Sequence, residues 1–551
     1  MEKELDGLGY LPLRTILSKL SPSDIIKVSC ANKRLRGSAS DDSLWAQICY
    51  QELQLSTPQD YHGNPLPCFM LAYQLWREAF SMYPWPLVKR VKRCWDKLKK
   101  WFNNNFPEAE ATLRRGASES DIEQLQTLLK VKLPLPTRVL YRFHDGQELP
   151  DKKNPKTASS SWLGIIGGYS FYNHSVIAKT RYVIRYLGFS SRSKCIIVAS
   201  SFACSRKLFF LNCTNGQLFV GTRKPLTDNE MIPCVPNTLI RSVHDLYGEE
   251  QQDAMLLWLE EHGRRLENGI IKVRKEGDDR SINLFPEVPP LCVTTVTNGV
   301  QVRASAVFVP EFADLLDEAE KFMFAYSIRM SLLPEGCVIN GMTFSSCQLN
   351  RRHWIIRADD EVISSVDDEA VIGQFPLLHP GEGEFVYQSC SPLPSPSGSV
   401  EGYFTFVPGR LADPRGGPFK VLVARFPLEM PDYTFKGPKR VETTGWITTQ
   451  FFVKFHHIFH HHGERLFRCI HGCPLNELID AGINLRNEAE ATLRRELLNK
   501  KNPKKVSGSW LGIIGGYSFY HHSINVYSLP LSQVISQVTY VISTVKSEAI
   551  T

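Results

Sequence analysis

Two short acidic runs are the first side chains in this sequence whose types could support chemistry. Each run supplies three neighbouring carboxylates, Asp359-Asp360-Glu361 and Asp367-Asp368-Glu369. Carboxylate oxygens at such spacing can bind a divalent cation. Charged residues in a surface loop give the same pattern without a metal. We favour solvated loop charge over a metal site.

A second group combines histidine and cysteine, the side chains that bind zinc. Its members lie near the end of the chain and are His456, His457, His460, His461, His462, Cys469, His471 and Cys473. Their spacing matches no zinc module, and His144 and His174 stand alone elsewhere. We interpret these residues as structural or incidental, so the sequence predicts no catalytic residue, no metal site and no cofactor.

The densest basic cluster lies between Lys89 and Lys100, where tryptophans are interleaved with lysine and arginine. Basic and aromatic residues together can bind single-stranded nucleic acid. The alternative is an amphipathic helix, because four apolar residues recur at helical spacing: Val88, Val91, Trp95 and Leu98. We favour the helix, since a net charge of +7 over 551 residues is mild. We predict no nucleic-acid partner.

The cysteine pattern and the chain start bear on the cellular compartment. Fourteen cysteines are scattered without a paired framework. The first residues, Met-Glu-Lys-Glu-Leu-Asp, lack the basic and apolar regions of a signal peptide. No apolar run approaches the ~20 residues that span a bilayer. We expect no membrane partner and a location in the cytoplasm and nucleus.

The elements that would position binding residues begin with a helical N-terminal stretch. Ser21-Pro22 offers a helix cap followed by proline at the first helical position. Gly37 signals a helix stop, and Ser40-Asp41-Asp42 starts a third helix. Apolar residues recur through the three helices at Ile16, Leu17 and Leu20, then Ile25, Ile26 and Val28, then Leu44 and Trp45. So small a cluster is marginal alone, and we expect its apolar faces to meet a partner or the rest of the chain.

This stretch resembles the F-box, the module that docks F-box proteins onto Skp1 in cullin-RING ubiquitin ligases. The matching segments are Ile16-Leu17-Ser18-x-Leu20, Asp24-Ile25-Ile26-x-Val28-Ser29 and Ser43-Leu44-Trp45. Gly9 and Leu35 depart from the family, which usually has proline and tryptophan there. The resemblance implies a Skp1-like partner, and cullin 1 reached through Skp1. It also implies Skp1-binding residues, namely Leu8, Ile16, Leu17, Leu20, Ile25, Ile26, Val28, Leu44 and Trp45.

The middle of the chain combines helix and strand patterns. An acidic helix start at Ser118–Glu123 precedes the segment LPLPTRVLYRFHDG at residues 133–146. Short apolar strands follow, two of them joined by a hairpin turn at Asn215-Gly216. This order resembles the SMI1/KNR4 (SUKH) fold, an α+β protein-interaction domain. We place that domain and a helical linker at residues 68–270, and we interpret Gly277–Ser281 as a polar linker.

Many short strands with glycine and proline turns follow, as is typical of a β-sandwich. The segments FAYSI (324–328), HWII (353–356), AVIGQFPLLHPG (370–381) and GSVEGYFTF (398–406) resemble the ApaG domain, an all-β immunoglobulin/fibronectin-like sandwich. We place it at residues 285–435. Bacterial members carry a G-x-G-x-x-G loop that can cradle phosphates. Here residues 367–373 keep only the last glycine, beside three carboxylates, so we expect no nucleotide binding. Substrate contacts are then expected in the loops, at Gly373, Phe375, Pro376 and Gly381.

The tail at residues 436–551 repeats two segments of the N-terminal half of the chain. Glu488–Arg495 copies Glu108–Arg115, and Lys501–Ser523 repeats Lys153–Ser175 with few changes. The copy lacks an equivalent of residues 116–152, so its strand and turn would have no helical layer to pack on. The repeat indicates a partial duplication or a misjoined gene model. We predict a weakly ordered tail, because a lone strand pair is marginal in water.

The order of the three domains, with the F-box at residues 1–55, resembles plant Skp1-interacting F-box proteins, and an animal F-box protein with an ApaG domain shares it. The predicted fold class is multidomain α+β. The resemblance implies a non-catalytic substrate receptor of a Skp1–cullin–F-box (SCF) ubiquitin ligase that presents an unknown protein substrate for degradation. The alternatives are an F-box scaffold outside the ligase and an ApaG-type phosphate-ester hydrolase.

Overall fold

A computed structural model describes residues 8–148, 164–165, 169–186, 194–201, 208–221, 231–276, 279–319, 321–371 and 373–435. Residues Glu369–Phe375 belong to a separate compact unit, and the other described residues form one body. The predicted tail at 436–551 and part of the WLGIIGGYSFY segment at 162–172 lie outside the described residues. No helix in the described ranges has both the length and the apolar character needed to cross a membrane.

Four helices, rather than the three predicted, form an N-terminal cluster. They are α1 (Tyr10–Leu17), α2 (Pro22–Ser29), α3 (Lys33–Ala39) and α4 (Asp42–Leu53). The predicted second helix is divided because the Asn32 side chain accepts the backbone N–H of Leu35 at 2.8 Å and caps a new helix. Gly37 lies inside α3, so the prediction that it ends a helix is wrong.

The middle domain contributes further helices, which all lie between residues 69 and 267. They are α5 (Phe69–Ala79), α6 (Trp85–Asn105), α7 (Pro107–Glu110), α8 (Glu119–Leu129), α9 (Leu135–Phe143), α10 (His174–Lys179), α11 (Arg181–Tyr186) and α12 (Ala254–Glu267). The predicted amphipathic helix is confirmed, because α6 buries Val88, Val91, Trp95 and Leu98. The acidic start of α8 is a capping box between Ser118 and Asp121.

A five-stranded antiparallel sheet packs with these helices. Its strands follow chain order as β1 (Tyr169–Phe171), β2 (Cys195–Ser201), β3 (Leu208–Asn212), β4 (Leu218–Gly221) and β5 (Met231–Pro233). The predicted hairpin at Asn215-Gly216 is confirmed, since β3 pairs with β4. Trp258 of α12 packs on Phe209 of β3, with ring centroids 5.2 Å apart.

Asp253 joins two helices of the middle domain. One carboxylate oxygen accepts the Leu256 N–H at 2.9 Å and caps α12. The other accepts the backbone N–H and the hydroxyl of Thr137 on α9, at 2.9 and 2.6 Å. Burial raises the pKa of this carboxyl to about 6, although the hydrogen bonds from Thr137 and Leu256 oppose the shift.

Part of the segment predicted as a polar linker belongs to a paired strand. The strands β6 (Lys272–Glu276) and β7 (Asp279–Asn283) pair antiparallel, with Val273 opposite a buried Ile282. Arg280 of β7 also reaches the end of α6, where it donates to the Asn105 carbonyl at 2.8 Å. Backbone pairing of Asp279, Arg280 and Ser281 with β6 therefore corrects the prediction of a linker for these three residues.

Two antiparallel sheets form the predicted β-sandwich. The first, in the spatial order β16-β10-β9-β8, contains β8 (Cys292–Thr297), β9 (Val300–Phe308), β10 (Phe322–Leu332) and β16 (Phe385–Leu393). The second sheet has the spatial order β14-β13-β17-β18. In addition, β15 pairs with β13 and β19 pairs with β17. The strands of this sheet are β13 (Cys347–Ala358), β14 (Glu361–Glu369), β15 (Leu377–Leu378), β17 (Ser397–Arg410), β18 (Asp413–Pro414) and β19 (Phe419–Glu429). A short hairpin of β11 (Cys337–Ile339) and β12 (Met342–Phe344) precedes β13. Trp354 and Phe404 are buried aromatic residues of the sandwich core.

The chain that leaves the sandwich returns to the middle domain. Thr434 donates its N–H to the Cys234 carbonyl at 3.0 Å and accepts the Trp258 indole N–H at 2.9 Å. The buried ring of Phe435 lies 4.5 Å from the Trp258 ring, and the Arg265 guanidinium lies 4.2 Å above it. The last described residues therefore fasten the sandwich to α12.

Candidate functional site

Local hydrogen bonds position the N-terminal helices. Ser21 caps α2 by accepting the Asp24 N–H at 3.2 Å, as its sequence predicted. Asp41 caps α4 by accepting the Ser43 N–H at 2.9 Å. The Tyr10 hydroxyl also donates to Asp41, and this hydrogen bond lowers the pKa of that carboxyl. The start of α1 is thus fixed against the start of α4.

The structure buries four of the nine residues predicted to bind Skp1. Leu17, Ile25, Leu44 and Trp45 form the core of the helical cluster. The Trp45 indole N–H donates to the Ala39 carbonyl at 2.7 Å, and its ring packs 5.4 Å from Tyr73. Their own chain covers these four side chains in this structure, and their part in Skp1 binding stays a prediction.

An exposed apolar strip lies on α1 and α2. Its members are Tyr10, Leu11, Ile16 and Ile26, with 53, 70, 40 and 48 % of each residue accessible to solvent. Ile16 and Ile26 were among the predicted residues, and three others are half-buried, namely Leu8, Leu20 and Val28. Large apolar side chains that a folded chain leaves exposed are candidates for a protein interface. We refer to these four exposed residues as the apolar strip.

Tyr10 and Leu11 were missed because the apolar spacing was counted from Ile16. The available signal was Pro12, which the helix tolerates only in its first turn and which therefore places the helix start before it. Leu13 and Leu17 occupy the buried face of α1.

Most of the loop residues predicted to contact substrate are exposed. Gly373 and Gly381 have positive φ values of 71° and 77°. Phe375 is exposed as well, and its role stays a prediction. Pro376 is half-buried and lines a groove of about 270 Å³ in the sandwich. The other lining residues are Ser331, Leu332, Leu377, Leu378, His379, Glu382, Gly383 and Phe385.

The acidic runs lie on a hairpin rather than in loops. Asp359 and Asp360 form the turn between β13 and β14, and the second run lies on β14. Asp367 pairs with Arg351 at 3.1 Å and Asp368 with Arg352 at 2.9 Å. The prediction of loop charge is therefore corrected for Asp367 and Asp368, because they belong to a paired strand and are neutralised by arginines.

A half-buried ion network lies beside the first sheet of the sandwich. Glu287 pairs with Arg274. Glu384 pairs with Arg303 and lies 3.5 Å from Arg329. Burial would raise the pKa of Glu287, but the hydrogen bond and charge of Arg274 lower it overall. A cavity of about 10 Å³ beside Arg303 and Arg329 is about the size of one water molecule. The network therefore ties β6 to the sandwich and leaves no room for a substrate.

His174 is not isolated, contrary to the sequence prediction. Its Nδ1 lies 2.8 Å from a carboxylate oxygen of Asp145, and its Nε2 lies 3.2 Å from the Ser175 hydroxyl. Asp145 also accepts the backbone N–H of His174 at 2.9 Å and approaches Arg114 at 3.5 Å. Burial raises the pKa of Asp145, with the His174 bonds opposing the shift. These bonds hold the start of α10 on the loop after α9, which is a structural role.

His144 is a second histidine with described partners. Its Nδ1–H donates to the Arg114 carbonyl at 2.9 Å, and its ring packs edge-on against Trp95 at 4.7 Å. Burial lowers the pKa of His144 to about 4, so the ring is neutral at pH 7. The prediction that this histidine is structural agrees with its contacts.

Known proteins match both ends of the described chain. Residues 13–51 match the family described as F-box-like, and residues 314–408 match the ApaG domain. F-box protein SKIP16 of Arabidopsis thaliana is 56% identical over 442 residues, which cover 78% of this chain and 100% of that protein. F-box only protein 3 of Bos taurus is 26% identical over 419 residues, which cover 73% and 79% of the two chains. Protein ApaG of Bordetella pertussis (strain Tohama I) is 36% identical over 130 residues, or 24% of this chain and 86% of that protein.

These matches confirm the predicted resemblance to F-box and ApaG proteins and the multidomain α+β class. The SMI1/KNR4-like assignment at 68–270 lies outside both family matches and stays a prediction, although the structure there does combine helices with a sheet. The predicted domain boundaries also stay predictions.

Proposed function

The chain belongs to the family of F-box proteins that also carry an ApaG domain, and on this premise we propose that it is the substrate-recognition component of an SCF E3 ubiquitin ligase. In this proposal the F-box binds a Skp1-like protein, and cullin 1 joins through Skp1. The middle domain and the sandwich hold a protein substrate, which is ubiquitinated and then degraded.

The apolar strip is the observation that carries this proposal. It lies on the two helices that begin the cluster, and Ile16 and Ile26 fall within the F-box match. A monomer gains nothing by exposing Leu11 and Ile26, and burial on a partner would stabilise a complex through the hydrophobic effect. A few such apolar anchors usually supply most of the energy of an interface.

We propose that the chain contributes proximity rather than bond chemistry. A receptor accelerates transfer by holding the substrate beside the enzyme that carries ubiquitin. The charged groups of the sandwich support this assignment, because Asp367, Asp368, Glu287 and Glu384 are all engaged by arginines. No metal, cofactor or nucleic acid is part of the proposed function.

We further propose that the protein acts in the cytoplasm and nucleus. The described cysteines are free thiols, as expected in a reducing compartment, and several of them are buried. A fluorescent fusion of the full chain that accumulates in the secretory pathway would contradict this location.

Charge placed in the apolar strip will abolish capture of Skp1. We expect the double variant Ile16→Asp/Ile26→Asp to lose at least 100-fold in affinity, because each aspartate would be desolvated in the interface without a partner. Both side chains are exposed, so the fold should tolerate the change. Co-purification of Skp1 and cullin 1 with the full chain is the measurement.

Leu128→Asp is the matched control for this test. Leu128 is a similarly exposed apolar residue on α8, outside the F-box match. It should retain Skp1 at the wild-type level. Equal recovery of Skp1 from the double variant and the control would refute the proposal. Recovery of Skp1 without cullin 1 would favour a scaffold outside the ligase.

A further inference from the structure

The strand β14 is an open edge of the larger sandwich sheet. Among the described strands it pairs with β13 alone. None of its nine residues is buried, and its apolar residues Val362 and Ile363 are 54 and 43 % exposed. An exposed edge of this length is a ready template for another strand, which most proteins cover or interrupt.

The hairpin turn between β13 and β14 determines which backbone groups of β14 are free to pair with another strand. Asp359 donates its N–H to Ser397 of β17, so the backbone of the preceding Ala358 is directed to β14. The two-residue turn places Ala358 opposite Glu361. Because an antiparallel ladder uses alternate residues, the N–H and C=O groups that face away from β13 belong to Val362, Ser364 and Val366.

Negative charge is concentrated at the turn end of this edge. Asp360 and Glu361 are exposed. The Arg357 guanidinium donates to the backbone carbonyl of Asp360 at 3.2 Å, and the charge of Arg425 also acts on Asp360. The nearby Arg357 and Arg425 are engaged by Glu401 at 3.2 and 2.9 Å. At the other end Asp367 and Asp368 are neutralised by arginines. The edge therefore suits a strand with cationic residues near the turn and apolar residues beyond it.

We propose that β14 binds an extended basic segment of a partner protein by β-strand addition. The inference rests on the proposed function and deepens it, because this segment would be the part of the substrate that the receptor holds. Main-chain hydrogen bonds to Val362, Ser364 and Val366 supply affinity. The carboxylates at the turn supply specificity.

Fluorescence polarisation with labelled peptides tests the inference on the full chain. The probe is an eight-residue peptide with two lysines followed by alternating valine and threonine. It should bind saturably. A peptide with glutamates in place of the lysines should bind about tenfold more weakly, since two exposed charge contacts are reversed. A peptide N-methylated at alternate residues should also lose at least tenfold, because it lacks the N–H donors for the ladder.

A charge reversal on the protein completes the test. Asp360→Lys/Glu361→Lys should exchange the preference, so that the glutamate peptide binds more tightly than the lysine peptide. The matched control is Glu249→Lys/Glu250→Lys, an adjacent exposed pair in the middle domain, which should bind like the wild type. Equal binding of the N-methylated peptide, or an unchanged preference in the reversed variant, would overturn the proposal.

Skp1 recovery separates this inference from the proposed function. The Asp360→Lys/Glu361→Lys variant should retain Skp1, because the change lies outside the F-box match. Peptide binding by a chain that captures no Skp1 would uphold the open edge and reject the receptor role. A chain that captures Skp1 but binds none of the peptides would support the receptor role and reject the open edge as a binding site.

Discussion

Replacement of Phe435 by alanine will lower the free energy of unfolding by about 3–5 kcal/mol, the usual cost of deleting a buried aromatic ring. The ring is buried between Trp258 and the Arg265 guanidinium, at 4.5 and 4.2 Å. Its loss leaves a cavity against α12 and removes a cation–π contact. Urea unfolding followed by tryptophan fluorescence is the measurement, because Trp258 reports on this site.

Two controls isolate the contact made by Phe435. Met430→Ala changes a partly exposed residue of the same segment, so its effect should stay within about 0.5 kcal/mol. Truncation after Phe435 should also leave the transition unchanged, whereas truncation after Pro431 should lower stability as Phe435→Ala does. A Phe435→Ala variant as stable as Met430→Ala would show that the sandwich is not fastened through this ring.

Acid will destabilise the protein between pH 6.5 and pH 4 through two buried histidines. Burial lowers the pKa of both His144 and His262 to about 4, below the ordinary value of 6.5. The folded state therefore favours the neutral rings. The stability that each ring contributes is fully present above pH 6.5 and is lost as pH falls through 4. Each histidine contributes on the order of 3 kcal/mol to this loss.

The carboxyl of Asp253 changes the stability of the protein with pH in the opposite direction. Because the pKa of Asp253 is raised to about 6, its contribution is fully present below pH 4 and disappears as pH rises through 6. This gain offsets the loss from about one histidine, so these three groups together should lower stability by about 3–4 kcal/mol. Near His262, the charges of Arg265 and Glu261 oppose one another and leave burial as the dominant cause.

His262→Gln provides the diagnostic variant. Glutamine can still donate to the Ile165 carbonyl, which accepts from the His262 Nε2 at 2.8 Å. The variant should lose about 2 kcal/mol less than the wild type between pH 7.5 and pH 4.5. Its stability at pH 7.5 serves as the internal reference. An identical pH dependence in the two proteins would mean that His262 does not drive the acid loss.

Local patterns predicted the elements whose signals lie within a few residues. The spacing of Val88, Val91, Trp95 and Leu98 was sufficient for α6, and Asn215-Gly216 for the β3–β4 hairpin. The chain divides between α2 and α3 at Asn32, because the Asn32 side chain caps α3. Gly37 did not end a helix, since α3 accommodates it at a modest cost in helix propensity.

Non-local pairing decided the features that sequence patterns did not predict. Periodicity identified the apolar faces of the F-box helices but not which face the chain itself would cover, so Leu44 and Trp45 are buried whereas Tyr10 and Leu11 are exposed. The polar strand β14 shows little alternation and exists because β13 pairs with it. His174 meets Asp145 across 29 residues, a contact that no local spacing could reveal.

Hydrogen–deuterium exchange of the full chain with and without purified Skp1 tests the central claim most directly. Backbone amides of α1 and α2 should gain protection in the complex, because the apolar strip would be buried there. Amides of β14 should exchange as they do in the free chain, since we propose that edge for a substrate and not for Skp1. Saturating Skp1 that leaves residues 10–29 unprotected, or that protects β14 instead, would contradict the proposed receptor role.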